Sequence, residues 1–395
     1  MDYKKYLNAA IDAVPPSGIR KFFDVAVGVP DVISLGVGEP DFKTPYAVRE
    51  EAISLLVQGK TQYSANAGLL GLRQEIAYYL KDRFATVYDP QREIIVTIGA
   101  SEAIDLSLRA IINTGDEVLV PEPSYVSYSP NVIFAGGVPR PVVTRAEEGF
   151  RLNPRALEAA ITPRTKAVIM PYPNNPTGAI LDAATLDEIA QIAVKHDLLL
   201  ISDEIYAELS YADTPHVSCA SHPQLWERCI TINGFSKAFA MTGWRIGYLC
   251  APAELVKNML KIHQYVIMCA ATPSQAAAEY ALQQGRKDGY ADILLMKNSY
   301  NQRRRLMLDG FRRMGLDCEE PLGAFYIFPS IRRLNISSFD FCTALLQRKK
   351  VACVPGTAFG ASGEGFIRAS YATSVEKLTR ALALIAEFIQ ELERK

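Results

Sequence analysis

Short apolar runs alternate with helix-length amphipathic stretches over roughly the first three quarters of the chain. The clearest are Ile-Ile-Val-Thr-Ile at 94–98, Glu-Val-Leu-Val at 117–120, Ala-Val-Ile-Met at 167–170, Leu-Leu-Leu-Ile at 198–201 and Cys-Ile-Thr-Ile-Asn at 229–233. Runs this apolar, with little polar alternation, suit strands covered on both faces, and therefore a largely parallel sheet between two helix layers. The alternation predicts an α/β architecture, a three-layer α/β/α domain. From about residue 286 the pattern changes to a long charged helix over 298–313, a strand-like run over 323–328 and a final helix over 375–392. This predicts a second, smaller α+β domain. The longest basic run, Arg303 to Arg305, reads as a solvated helix face.

Composition narrows the function classes. At 395 residues with 49% hydrophobic content, the chain is long enough for two cores and too apolar for disorder. Forty-two basic against forty-three acidic residues give a net charge of -1, which leaves no electrostatic footprint for nucleic acid or an anionic membrane. Small-molecule partners are favoured. The seven cysteines form no Cys-x-x-Cys pair, so no metal site is expected, and most read as small buried apolar residues. The first six residues lack the apolar core of a signal peptide, and no window reaches the length of a membrane span. A cytoplasmic protein is expected.

The candidate chemistry sits at the carboxyl ends of the predicted strands, where parallel sheets place their ligands. Lys237 follows the run at 229–233 and opens a stretch ending in Arg245. A lysine held on such a turn can become a nucleophile if a neighbouring cation lowers its pKa; Arg245 could be that cation or an anion clamp. Ala100, Ser101 and Glu102 open a helix predicted over 103–112, and backbone N–H groups at a helix start can seat a phosphate, though such starts are commonly only caps. Pro-Asn-Asn-Pro-Thr-Gly at 173–178 is a bent, rigid turn that would fix the Asn175 amide. Ser-Asp-Glu-Ile-Tyr at 202–206 puts Asp203 at the sheet edge and Tyr206 three residues on, with an N-cap as the ordinary alternative. Arg368, in the strand-like run 365–371, has the fork for bidentate capture of a carboxylate, and a surface ion pair is the ordinary alternative. These parts explain one another if the ligand is pyridoxal 5′-phosphate, which needs a lysine for its aldehyde, a carboxylate for its pyridine nitrogen, and a helix start with an arginine for its phosphate.

With these motifs in this order and spacing, the sequence resembles the class I and II aminotransferases among the fold-type-I pyridoxal phosphate enzymes. The likeness runs from Leu35 to the segment around Arg368, and is nearest to the aspartate and aromatic branch. It implies a mostly parallel seven-stranded sheet in a large domain at 47–285, with a small domain built from 1–46 and 286–395. It also implies residue roles. Lys237 would bind the aldehyde and later shuttle a proton. Asp203 would pair with the pyridine N–H, and Tyr206 and Asn175 would donate to the phenolic oxygen. Tyr125 would stack on the ring. The backbone of Ala100, Ser101 and Glu102 would hold the phosphate with Arg245. Tyr63 would reach the phosphate of a neighbouring subunit, making a homodimer with shared sites. Gly38 and Arg368 would hold the substrate α-carboxylate.

The implied activity is transfer of an amino group from an L-amino acid, aspartate or aromatic, to a 2-oxo acid such as 2-oxoglutarate by a ping-pong cycle. A carbon–sulfur β-lyase is the alternative on the same scaffold. A cofactor-sensing transcription regulator would need a DNA-binding module that the short leader does not supply. Two positions depart from the pattern: Gly234 stands where some relatives carry a phosphate-binding Ser or Thr, with Ser236 nearby, and Tyr125 stands where Trp or Phe is common. The segment 17–22 matches a mobile element at the site mouth and is expected to close over substrate.

Overall fold

The computed structural model describes residues 1, 3–19 and 31–394. Seven strands form one sheet: β2 (Ile94–Thr97), β3 (Glu117–Glu122), β4 (Val138–Val143), β5 (Thr165–Met170), β6 (Leu199–Asp203), β7 (Cys229–Gly234) and β8 (Gly247–Cys250), in the order β2-β8-β7-β6-β5-β3-β4. β8 runs antiparallel to both its neighbours, and the remaining pairs are parallel. The expected α/β class and seven-stranded, mostly parallel sheet are what the chain forms.

The strand periodicity explains the two helix layers. Successive side chains point to opposite faces, so Ile95, Ala167, Ile169, Ile201, Ile230 and Ile232 pack on one side with the helices Gly99–Ile111 and Ala253–Val266. Ile94, Val96, Val168, Met170 and Leu200 pack on the other with Leu70–Phe84, Ala183–Lys195 and Thr272–Asp288. Two strands escaped the sequence reading. β4 is a largely exposed edge whose Pro139 and Pro141 are tolerated only there, and β8 is short and follows the Lys237 stretch without a turn signal.

A separate core holds the helices Ala291–Arg313, Ser338–Lys349 and Val375–Glu393 together with β9 (Tyr326–Ile327), β10 (Val351–Ala352) and β12 (Ile367–Ser370). The amino-terminal strand β1 (Ile33–Ser34) pairs with β10, so residues from both ends of the chain share this core. The strand expected over 323–328 shrinks to two residues, because Ala324 adopts a left-handed backbone (φ 59°) and Gly323 bridges to Ser210 instead. The helix expected from 298 starts at Ala291, whose N–H is accepted by Asp288.

At the amino ends of the parallel strands, opposite the candidate site, Glu117 is fully buried. Its carboxylate accepts from Arg140 of β4, from Arg164 ahead of β5 and from Thr162, joining three strands. These bonds, Arg140's first, hold its pKa down to about 2. The ionised carboxylate therefore supports folding fully above its unfolded pKa near 4.5, and that support is lost as pH falls through about 2. Glu117→Gln should lower the melting temperature at pH 7, and the gap to wild type should narrow steadily below pH 4.5. A gap that stays constant with pH in thermal denaturation would refute the clamp.

Candidate active site

The carboxyl ends of β2, β3, β5, β6 and β7, or the turns that follow them, carry the candidate residues of the large sheet. Lys237 lies three residues past β7 in a turn packed by Phe235, Ala238 and Phe239. Its Nζ donates to the Gly38 carbonyl at 2.6 Å and lies 5.7 Å from the ring centres of both Tyr206 and Phe325. Burial is the main force holding this amine down to about 8; Glu39 and Asp203 oppose it, while Arg368 and Arg245 reinforce it. The sequence reading gave the leading part to a cation. Desolvation takes that part, and Arg368 stands ahead of Arg245.

Asp203 ends β6 and is buried. Oδ2 accepts from the Tyr128 hydroxyl at 2.8 Å and Oδ1 from the Ile205 N–H at 3.2 Å. Burial nevertheless raises its pKa to about 6, against the lowering effect of those bonds. Tyr128 was absent from the sequence candidates. Tyr125, half-buried, meets the Tyr128 ring edge-on at 5.6 Å.

Arg245 has a left-handed backbone (φ 50°) that turns its side chain toward the start of Gly99–Ile111. A Cβ on Gly99 would lie 2.6 Å from its Nη2, so glycine is required for the guanidinium to sit there. No carboxylate pairs with Arg245 among the described residues, and Nη1 donates only to the Thr242 carbonyl. The helix begins at Gly99 and not at 103, which places the N–H groups of Ala100, Ser101 and Glu102 in its first turn, where backbone donors have no intrahelical partner. Glu102's carboxylate is turned away from that end: it accepts from the Ile98 N–H and from His263 Nδ1 at 2.6 Å. Gly234 has a physical reason too, since a Cβ there would lie 2.8 Å from Gly247 Cα. Ser236 is buried in the same turn.

Arg368 in β12 is buried with no carboxylate partner among the described residues. Nη1 donates to Asn175 Oδ1 at 2.9 Å and Nη2 to the Gly36 carbonyl at 2.5 Å, while Nε has no partner. The Tyr326 and Phe359 rings lie 4.4 and 4.9 Å from its Cζ. Asn175 is thus held from two sides, by Arg368 and by its own turn, in which Asn174 Oδ1 accepts from the N–H and hydroxyl of Thr177. Tyr206's hydroxyl pairs with that of Tyr326 at 2.9 Å. Gly38, Asn175, Tyr206, Lys237 and Arg368 are therefore linked through direct or shared contacts, and Asp203 acts on Lys237 and Tyr206 electrostatically. Tyr63 is not: it stands 81% exposed between two helices. Of the segment 17–22, residues 20–22 lie outside the described residues, and Gly18 packs on Ala358, next to Phe359. No group of three or more His, Cys, Asp or Glu among the described residues is placed to hold a metal ion.

A lysine and an acid at the carboxyl edge of such a sheet, with two arginines that lack carboxylate partners among the described residues, are groups that an enzyme of the pyridoxal phosphate type needs. A model of the family "Aminotransferase class I and II" matches residues 30–385. The chain is 46% identical to an aspartate aminotransferase of Pyrococcus abyssi, covering 96% of this chain and 97% of that one. It is 44% identical to aromatic-amino-acid aminotransferase 2 of Thermococcus litoralis, covering 98% of each. The solved structure of Thermus thermophilus aspartate aminotransferase with maleate superposes with a TM-score of 0.91 at 40% identity, over 96% of this chain and 99% of that one. The chain belongs to the class I and II aminotransferase family, and is a transaminase that uses pyridoxal phosphate. The β-lyase alternative is not favoured.

The raised pKa of Asp203 has a signed consequence for the cofactor-free protein. A carboxyl whose pKa is about 6 folded and 3.8 unfolded supports folding below pH 3.8, and that support is lost as pH rises through about 6. Asp203→Asn keeps an acceptor for Tyr128 without the buried charge. It should melt higher than wild type at pH 8, by up to about 3 kcal/mol in stability, and equally at pH 3.5; equal stability at both pH values would contradict the assignment.

Proposed function

We propose that this transaminase takes its amino group from aspartate or an aromatic L-amino acid and passes it to 2-oxoglutarate, in a site completed by a second copy of the chain. The observation that carries the reading is the enclosed Lys237 amine, lowered to about 8 beside a buried acid and a buried arginine that lacks a carboxylate partner among the described residues. The donor set fits pyridoxal phosphate: the cradle at Gly99, which a Cβ would fill, suits a phosphate under Arg245, and Arg368 Nε remains for a carboxylate oxygen. When bound, that cofactor supplies a carbonyl to receive the amino group and a ring that draws electrons from the substrate carbon.

The chain's residues then have separable tasks. Lys237 would hold the cofactor and, once released, its free amine would take the proton from the substrate Cα as general base and later give it up as general acid. Asp203, braced by Tyr128, is the anion for the pyridine N–H; that cation would reverse the cost of burying it. Tyr206 and the Nδ2 group of Asn175 would donate to the phenolic oxygen, and Tyr125 would cover the ring. Ala100, Ser101 and Glu102 offer backbone N–H groups to the phosphate alongside Arg245, with the helix start favouring negative charge. Arg368, with the Gly38 N–H, takes the α-carboxylate.

The donor range is supported by relatives named for aspartate and for aromatic amino acids at nearly equal identity. Division into a large domain at 47–285 and a small one from 1–46 and 286–395 is supported by the core that Ile33 and Leu35 share with the helices after Ala291, while Phe328, Val354, Phe359 and Phe366 pack with the large domain. The homodimer is supported by the exposed apolar side chains Tyr46, Ile53 and Val57 along one helix, with Tyr63, Tyr265 and Val266 also exposed. Seven free cysteines, six of them buried, suit a reducing cytoplasm.

Mixing the loaded enzyme with a panel of L-amino acids should bleach the cofactor's visible absorbance fastest with aspartate and aromatic donors, and Lys237→Ala should abolish turnover while still capturing cofactor. Bleaching only by other donors would reject the substrate assignment. Shared sites make a second prediction. Tyr63→Ala and Lys237→Ala subunits, each inactive at limiting cofactor, should together form hybrids with one intact site, recovering about a quarter of wild-type activity on coexpression. No recovery would mean that Tyr63 serves its own subunit.

A further inference from the structure

Tyr326 was not among the sequence candidates, yet it touches both halves of the site. It lies in β9, buried, on the separate core that also carries Arg368. Its hydroxyl is 2.9 Å from that of Tyr206, and its ring centre is 4.4 Å from Arg368 Cζ. On its third side a Cβ on Gly38 would come within 2.6 Å of the same hydroxyl, so the absence of a side chain at Gly38 is what lets the phenol reach Tyr206.

We propose that Tyr326 is a positioning residue with two separable parts, a hydroxyl that orients Tyr206 toward the cofactor and a ring that backs the carboxylate-binding guanidinium of Arg368. This rests on the cofactor reading above. The direction of the hydrogen bond follows from the task. A Tyr206 hydroxyl that donates to the phenolic oxygen has spent its only proton, so between the two tyrosines Tyr326 must be the donor. A donor feeding Tyr206's oxygen polarises its O–H and strengthens its own donation, as hydrogen bonds in a chain reinforce one another in a dry interior. The ring acts differently: its negative face lies against a cation that has no carboxylate partner among the described residues, so it holds the guanidinium without neutralising it. The charged and titratable groups facing this pair are Arg368, Glu39 and Tyr125 around Tyr326, with Lys237 and Asp203 on the far side of Tyr206.

The two parts can be separated by substitution. Tyr326→Phe removes the hydroxyl and keeps the ring; Tyr326→Leu removes both. The readouts are the pH midpoint of the loaded enzyme's absorbance change without substrate, and the affinity for 3-phenylpropanoate, a carboxylate that cannot react. A weaker Tyr206 donor leaves more negative charge on the phenolic oxygen, which holds the proton on the Lys237 nitrogen more tightly. The midpoint should therefore rise by roughly half a pH unit or more in Tyr326→Phe, with carboxylate affinity within about twofold of wild type. Tyr326→Leu should show the same rise and, in addition, bind the carboxylate roughly 3- to 10-fold more weakly.

Gly38→Ala, which crowds the hydroxyl from the opposite side, supplies an independent variant and should move the midpoint in the same direction as Tyr326→Phe. An unmoved midpoint in Tyr326→Phe and Gly38→Ala would overturn the assignment. So would equal loss of both properties in Phe and Leu variants together with a lowered melting temperature, the sign of a merely structural residue. A wild type that shows no pH-dependent absorbance after incubation with the cofactor would instead strike the functional reading, and this inference with it.

Discussion

Charge that has been taken out of water without a partner is the constraint on which the site depends. Asp203 is buried with hydrogen-bond donors but no cation in contact, Arg368 with carbonyl and amide acceptors but no carboxylate, and Lys237 with a single carbonyl. Each burial costs free energy, and the pKa of each group moves toward its neutral form accordingly. In the reading proposed above, a pyridinium would answer Asp203, an aldehyde Lys237 and a substrate carboxylate Arg368. The protein thus holds its charges poised for charges that arrive with cofactor and substrate, and the fold must supply enough stability elsewhere to tolerate that.

A compensated counterpart lies at the other end of the sheet. Glu117 is as buried as Asp203 but fully compensated, with two arginines and a threonine on its oxygens, and its pKa moves down where that of Asp203 moves up. The contrast between two carboxylates on parallel strands of one sheet, with β5 between them, separates structure from function more sharply than burial alone. Glycine has a comparable division of labour. Gly234, Gly247 and Gly99 form a stack in which each would clash through an added Cβ, and the space they spare is where Arg245 reaches the helix start.

The parts of this arrangement legible in the sequence are those written locally. Apolar runs gave the buried strands, and the turns after them carried Asp203, Asn175 and Lys237 in recognisable words. What the sequence concealed was partnership across long separations. Tyr128 is 75 residues from Asp203 and Tyr326 is 120 from Tyr206, and neither sits in a motif that announces a hydroxyl with a task. Glu102 was read for its backbone, yet its side chain reaches His263, 161 residues away, whose Nε2 is buried without a partner. Edge strand β4 was hidden because prolines usually mark loops, and their meaning changes only once the neighbouring strand is known.

Glu102 also shows how an apparent conflict is resolved. A carboxylate in the first turn of a helix competes electrostatically with a phosphate for the same N–H groups. Here it does not compete, because Ile98 and His263 hold both its oxygens away from the turn's open side. Its charge still caps the chain entering the helix, so it stabilises the helix start without occupying it. Arg245 approaches through the gap at Gly99, so the opening is lined by its guanidinium and the backbone donors of the first turn, with the Glu102 carboxylate held by Ile98 and His263. The helix Ala253–Val266 supplies His263, the group that holds one of the two Glu102 oxygens, so the placement of this acid at the helix start depends on a contact across 161 residues.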